Sequence, residues 1–269
     1  MPPPVALASP GDLARIDRAL AAAAERIGEL DLARLDVRAK ADGDPVTVVD
    51  RAVNDVLRDS LPLPGEGWLS EETVDDPARL AARRVWIVDP IDGTRELIAG
   101  IPEWCVSVGL VDHGEAIAGG ILNPSTGEVF TGGPGVGLWR NGQRIPARRM
   151  PPPESATVLA SRSETGRGEW RRFEHAPFKI RVVGSAAYKL ALVAAGVADA
   201  TWTLVPKSEW DVAGGVALLL ASGVEVVDRF GGPIRFNQPT PRVTGLIAIP
   251  EWRATAAWGA WLETLTGRA

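Results

Sequence analysis

The chain reads as an α/β protein in two halves, with an antiparallel sheet in the first and a mixed or parallel sheet in the second. Three observations predict this. Apolar residues recur at helical spacing through the first sixty positions, short apolar runs separated by turn signals fill 85–140, and strand and helix patterns alternate beyond a proline triplet.

The first helix is marked by Leu13, Ile16, Leu20, Ile27 and Leu30 around an Ala-rich middle. The second lies in VTVVDRAVNDVLRDSL, where Val49, Val53, Val56 and Leu57 share one face. A strand follows, ending at Asp89, and then WCVSVGLV, EAIAGGIL, GEVFTG and GLWR read as a meander with turns at DHG, NPSTG and GGPG. ARRMPPPES at 147–155 is the clearest break, because a proline triplet suits neither helix nor central strand. It divides the chain into halves at 1–148 and 154–269, packed as one unit. In the second half ATVLAS, KIRVVG, ATWTL, VEVVD and TGLIAI read as strands. SAAYKLALVAAG, WDVAGGVALLLASG and a terminal helix from Glu251 read as helices.

Composition narrows the function. At 269 residues with 45% hydrophobic and 23% charged content, this is an ordinary globular chain. A formal charge of −5 gives no basic footprint for a nucleic acid polymer or an anionic membrane. One cysteine, Cys105, excludes an internal disulfide framework and fits a reducing compartment. Two distant histidines make a histidine-based metal site a poor fit. With no signal-like N-terminus and no run of membrane-spanning length, a cytoplasmic protein is expected.

The chemistry lies in VWIVDPIDGTREL, residues 85–97. A buried strand does not ordinarily end on two carboxylates, Asp89 and Asp92, since unpaired buried charge is costly. WLSEETVDD adds Glu71 and Glu72 at a turn, and KSEWDVAGG puts Asp211 at the first turn of a helix. Acidic groups at strand ends and a helix start, with no histidine or cysteine close by, are hard oxygen ligands suited to magnesium or manganese. Each has a plainer reading. Asp211 also suits a helix N-terminus, Asp50 the acidic partner of a capping box with Thr47, Glu71 and Glu72 a solvated turn, and Thr94 an N-cap. Phosphoaspartyl phosphatases of the haloacid dehalogenase type also end a strand on aspartates, but theirs are separated by one residue and these by two, so a covalent aspartate is disfavoured.

Four blocks, DPVTVVD (44–50), SEET (70–73), VDPIDGT (88–94) and EWDVAGG (209–215), together resemble the inositol monophosphatase superfamily of magnesium-dependent, lithium-sensitive phosphatases. The resemblance implies a layered αβαβα sandwich of the inositol monophosphatase and fructose-1,6-bisphosphatase type. It implies that Glu71, Asp89 and the Ile91 carbonyl ligate one Mg2+, and that Asp89, Asp92 and Asp211 ligate another. Two or three ions per site are expected, with Mn2+ a substitute and Li+ an inhibitor. Gly93 and Thr94 would offer backbone amides to the substrate phosphate. Asp50, bonded to Thr94, would join Glu71 in orienting or deprotonating a water activated by the metals, and Lys40 would stand beside the substrate.

Within the superfamily, Arg95-Glu96-Leu97 after DGT, SRSE at 161–164 and GSAAYKLALVAAGVADA at 184–200 are similar to the bacterial 3′(2′),5′-bisphosphate nucleotidases. That branch implies conversion of 3′-phosphoadenosine 5′-phosphate to AMP and phosphate. Gly184, Ser185 and Lys189 would then lie near substrate, and Ser161 and Arg162 near its other phosphate. Lys189 reads equally as a solvated helix residue, and PKSEWD at 206–211 departs from the aromatic-rich loop of some relatives. An inositol or sugar monophosphate phosphatase is the nearest alternative, and an inactive relative serving as a binding partner the more distant one. The resemblance also allows a homodimer, for which ten tryptophans leave apolar surface.

Overall fold

The computed structural model describes residues 7–32, 34–35, 37–39, 45–146, 151–250 and 256–267. Lys40, residues 147–150 at the start of the proline break and the expected start of the last helix at 251–255 lie outside them.

Two helices open the fold, and both start on capping boxes. In α1 (Pro10–Gly28) the Ser9 hydroxyl accepts from the Asp12 amide while Asp12 reaches back to the Ser9 amide; in α2 (Val48–Ser60) Thr47 and Asp50 do the same. The two-residue strands β1 (Arg38–Ala39) and β2 (Pro45–Val46) pair antiparallel between them. The large sheet comprises β3 (Gly67–Ser70), β4 (Arg84–Asp92), β5 (Cys105–Asp112), β6 (Glu115–Asn123), β7 (Glu128–Gly133), β8 (Gly137–Arg140) and β9 (Gln143–Ile145), with a one-turn helix α3 (Thr94–Ile98) after β4. These strands lie side by side in chain order; β3 and β4 are parallel and all later neighbours antiparallel. The meander matches the sequence reading. The parallel edge strand β3 is an addition, too short to show a period of its own.

The second half contains β10 (Thr157–Ser161), α4 (Arg162–Gly166), β11 (Lys179–Val183), α5 (Ala186–Ala194), β12 (Ala200–Thr203), β13 (Lys207–Ser208), α6 (Ala213–Ala221), β14 (Val224–Val227), β15 (Arg242–Val243), β16 (Leu246–Pro250) and α7 (Ala256–Thr266). Its five-stranded sheet runs β11-β10-β12-β16-β14, parallel around β10 and antiparallel around β16.

Strand alternation assembles the layers. On β4, Trp86 and Val88 face the α1 and α2 residues Ile16, Leu20, Val49, Val53 and Leu57, while Val85 and Ile87 join Ala187, Leu190, Ala213 and Val216 of α5 and α6. The outer face of the second sheet packs Trp202 with Trp170, Phe173 and Phe178, and with Trp258 and Leu265 of α7. The order is helices, sheet, helices, sheet, helix, the expected αβαβα sandwich. Helix α6 lies directly on the large sheet because glycines let it. A Cβ on Gly119 would sit 2.2 Å from the Gly214 carbonyl oxygen, and one on Gly214 would sit 2.6 Å from that of Val108. This approach brings the start of α6 to the end of β4.

Candidate active site

Beside the end of β4 is a cavity of about 350 Å³, lined by Glu71, Asp89, Ile91, Asp92, Gly93, Thr94, Glu96, Ser161, Arg162, Gly184, Ser185 and Asp211 among others. These residues come from five separated stretches of sequence. Asp89 and Asp92 enter from β4, whose pairing with β5 shifts register between them. That irregularity spans Pro90, which has no amide to donate to the ladder. Gly93 turns the chain at φ +100°, a left-handed conformation suited to glycine, and α3 begins at Thr94. Glu71 follows β3, its amide donating to the Val88 carbonyl at 3.4 Å. Asp211 stands one residue ahead of the Val212 N-cap of α6. This corrects the expectation of a first-turn position: a tight turn, with the Val212 amide on the Glu209 carbonyl at 3.2 Å, precedes the helix.

The acidic groups are held by donors and opposed by one another. Asp92 Oδ2 accepts from the Ser185 hydroxyl at 2.7 Å and the Ala187 amide at 2.6 Å. Ser185 adopts φ +57°, a costly value for a non-glycine residue, and also caps α5 by accepting from the Tyr188 amide at 3.0 Å. Asp211 Oδ2 accepts from the Ser208 amide at 3.1 Å, and Asp89 Oδ1 from the Ile91 amide at 3.0 Å. Burial, then the charges of Glu71, Asp92 and Asp211, push the Asp89 carboxyl well above the usual range, and Asp89 shares a hydrogen bond with Glu71. Burial and then Asp92 raise Asp211 to about 7. Asp92 is raised by burial, against the pull of Ser185 and Ala187.

The four carboxylates, with Asp89, Asp92 and Asp211 all raised above their ordinary range, form an oxygen-only donor set whose charge a hard dication would offset, so the residues fit magnesium or manganese. Among the described residues, no three His, Cys, Asp or Glu side chains are gathered closely enough to hold a metal ion as they stand.

Asp50 is 1% exposed and lies behind the cavity wall. Its Oδ2 accepts from the Thr47 amide and hydroxyl, and its Oδ1 faces the Thr94 hydroxyl at 3.1 Å. The same hydroxyl is 3.1 Å from the Ile91 carbonyl oxygen. The capping role and the bond to Thr94 are therefore both present in one carboxylate.

Arg162 reaches the cavity but is engaged by Glu103, which also accepts from the Gly184 amide, and lies 3.7 Å from Glu96. Lys189 does not reach the cavity. It is buried on α5 beside Lys207 and Glu164, and burial lowers its pKa to about 8. The solvated-helix reading fails with it, since α5 is covered on nearly every side. Sequence reasoning missed Arg167 and Lys207 on the cavity wall and gave Arg95 no site role. Lys207 was signalled only by its place four residues before Asp211.

A five-layered sandwich with an acidic cluster lining a cavity of about 350 Å³ suits a metal-dependent phosphomonoesterase. The comparisons agree: residues 11–263 match the Inositol monophosphatase family. The inositol-1-monophosphatase of Mesorhizobium japonicum is 34% identical over 211 residues, covering 75% of this chain and 79% of that protein. The 3′(2′),5′-bisphosphate nucleotidase CysQ of Escherichia coli is also 34% identical, over 222 residues, covering 77% and 85%. The crystal structure of extragenic suppressor protein suhB from Bartonella henselae superposes with TM-score 0.78 at 27% identity, covering 96% of this chain and 99% of that one. The chain belongs to the inositol monophosphatase family, whose members are magnesium-dependent. No helix of the described residues is long and apolar enough to cross a membrane.

Proposed function

We propose that this phosphatase acts on phosphomonoesters carrying a second phosphate, with 3′-phosphoadenosine 5′-phosphate as the reference substrate. The observation that carries this is the cavity's charge. Beyond the four acidic groups assigned to metals, the lining holds Arg95, Arg162, Arg167 and Lys207 against the single further carboxylate of Glu96. Once dications offset the acidic cluster, cationic side chains predominate, and two phosphate groups use more of them than one. Arg167 is paired with Glu169 and Lys207 with Glu164, so substrate must compete for them. At exposed Arg167 that competition is cheap, because such pairs are worth about 0–1 kcal/mol.

Glu71, Asp89, Asp92, Asp211 and the Ile91 carbonyl would hold magnesium, which would supply charge neutralisation and a lowered pKa for water. The protein's own groups do the rest. Glu71 takes the proton of the attacking water, and the Thr94 hydroxyl, held by Asp50, helps orient that water. Gly93 and Thr94 position the phosphate, and Ser185 holds Asp92 in place. No side chain becomes phosphorylated.

A second reading, inositol or sugar monophosphate hydrolysis, is favoured by Glu96 in the lining, a carboxylate that accepts from hydroxyl groups. Measuring kcat/KM for 3′-phosphoadenosine 5′-phosphate against inositol 1-phosphate separates the two. The bisphosphate is expected to win, and a preference for inositol 1-phosphate overturns the nucleotidase reading while leaving the phosphatase class intact.

A further inference from the structure

Arg79, in the 3-10 turn Pro77–Ala81, is only 3% exposed. Its guanidinium grips both Asp75 oxygens, Nε to Oδ1 at 2.6 Å and Nη2 to Oδ2 at 2.8 Å. It then crosses to the second half, where Nη1 donates to Asn237 Oδ1 at 2.7 Å and Nη2 to the Gln238 carbonyl at 3.0 Å. Asn237 returns the contact, its Nδ2 donating to the Arg79 carbonyl at 3.2 Å. The backbone at this point grips a second carboxylate. Glu209, 0% exposed, accepts from the Asn237 amide at 2.7 Å and the Gln238 amide at 2.9 Å. Asn237 is held at φ +58° by this set of bonds, a conformation that Asn tolerates better than most residues.

The two ends of this chain of bonds are close in sequence to two members of the acidic cluster. Asp75 is four residues beyond Glu71, on the turn that leaves β3, and Glu209 is two residues before Asp211. The Glu209 carbonyl accepts the Val212 and Ala213 amides that begin α6, so shifting Glu209 shifts Asp211. Glu71 and Asp211 come from opposite halves of the fold, and the Arg79 network ties their segments together.

We propose that Arg79, Asn237 and Glu209 act as a latch that sets the spacing of Glu71 and Asp211, and thereby the affinity of the site for divalent cations; this rests on reading those two residues as metal ligands. The latch residues touch neither metal nor substrate and are positioning residues. Partners bonded directly to a metal ligand typically change metal affinity by about 10–100-fold, and the latch acts through the backbone one step further out.

The test uses the full chain and a variant that keeps the backbone turn. Asn237→Gly accepts φ +58° freely but removes both side-chain contacts to Arg79; Arg79→Lys keeps the charge and loses the fork. Mn2+ binding without substrate is followed by calorimetry, alongside the magnesium concentration for half-maximal rate, kcat at saturating magnesium, and the melting temperature of the metal-free protein. Both variants are expected to weaken Mn2+ binding and raise the magnesium requirement by about tenfold or more. Excess magnesium should restore kcat. A lowered melting temperature with unchanged Mn2+ affinity makes the network merely structural and overturns the proposal. Asp89→Asn serves as control. If it binds Mn2+ like the parent protein, the ligand reading fails and the latch with it; if it loses binding while Asn237→Gly does not, only the latch fails.

Discussion

The Thr94 hydroxyl lies 3.1 Å from Asp50 Oδ1, across 44 positions of sequence, while the other oxygen of that carboxylate caps α2 through Thr47. The helix start and the cavity wall are thus built on one buried group. Stability and turnover should separate when its two sides are cut. Thr94→Ala should lower kcat by about 10²-fold, as misplacing a group that orients the attacking water does, with little change in urea denaturation. Thr47→Ala should do the reverse, destabilising by about 1 kcal/mol through loss of the cap while kcat persists. Full turnover in Thr94→Ala would remove this hydroxyl from the reaction.

Asp89→Asn should reduce turnover to background. Asp89 is 2% exposed and surrounded by the charges of Glu71, Asp92 and Asp211. Deleting its charge should therefore leave the metal-free protein at least as stable as its parent. Thermal melts with and without magnesium check both parts. Substantial magnesium-dependent activity in the variant would contradict the ligand assignment.

The raised acidic groups predict a pH dependence of defined sign. Asp211 ordinarily loses its proton near 3.8 but in the fold keeps it to about 7. Between those values the metal-free fold binds more protons than the unfolded chain, so its stability falls as pH rises through the window. Magnesium must displace those protons, and its stabilisation should grow over the same range. Calorimetric titrations in buffers of different ionisation enthalpy should register proton release near pH 6, and melting temperatures should rise more on adding magnesium at pH 8 than at pH 5. Equal stabilisation at both pH values would contradict the shift.

The resolution with which the sequence disclosed this site follows from physical locality. Asp89, Asp92 and Thr94 are readable because one short segment holds strand, turn and carboxylates, and Asp211 because it precedes an apolar helix. The meander from β5 to β8 shows its turns directly. The parallel strand β3 does not, since its four residues are defined by pairing with β4 rather than by pattern. Lys189 misleads for a related reason. A lysine in an Ala- and Leu-rich helix looks solvated or substrate-facing until tertiary packing covers it and supplies Glu164 as an opposite charge. Arg167 and Lys207 reach the cavity through long-range folding alone, which no local pattern encodes.

With water as the proposed nucleophile, hydrolysis in oxygen-18 water should place one labelled oxygen in the released phosphate. The configuration at phosphorus should invert, as a single in-line displacement requires. Retention would indicate a phosphorylated intermediate and revive the aspartyl-nucleophile chemistry.

The most informative substitutions for substrate choice compare Arg162 with Lys189. Arg162 lines the cavity and is held by Glu103 beside Glu96, whereas Lys189 is buried outside the lining. If a second phosphate reaches Arg162, its guanidinium exchanges a carboxylate for a phosphate, and the new bonds are charge-assisted on both sides. Arg162→Ala should then cost the bisphosphate about tenfold or more in kcat/KM, about 1.4 kcal/mol of transition-state binding, and a monophosphate much less. The same variant frees Glu103 and leaves the Gly184 amide bonded to it, so the cavity wall survives the change. Lys189→Met keeps most of the volume, removes a charge that burial already disfavours, and deprives Glu164 of a neighbour. Its effect should fall equally on both substrates. A selective loss of the bisphosphate in Lys189→Met, with none in Arg162→Ala, would place the second phosphate on the far side of α5 and overturn the assignment of this cavity wall.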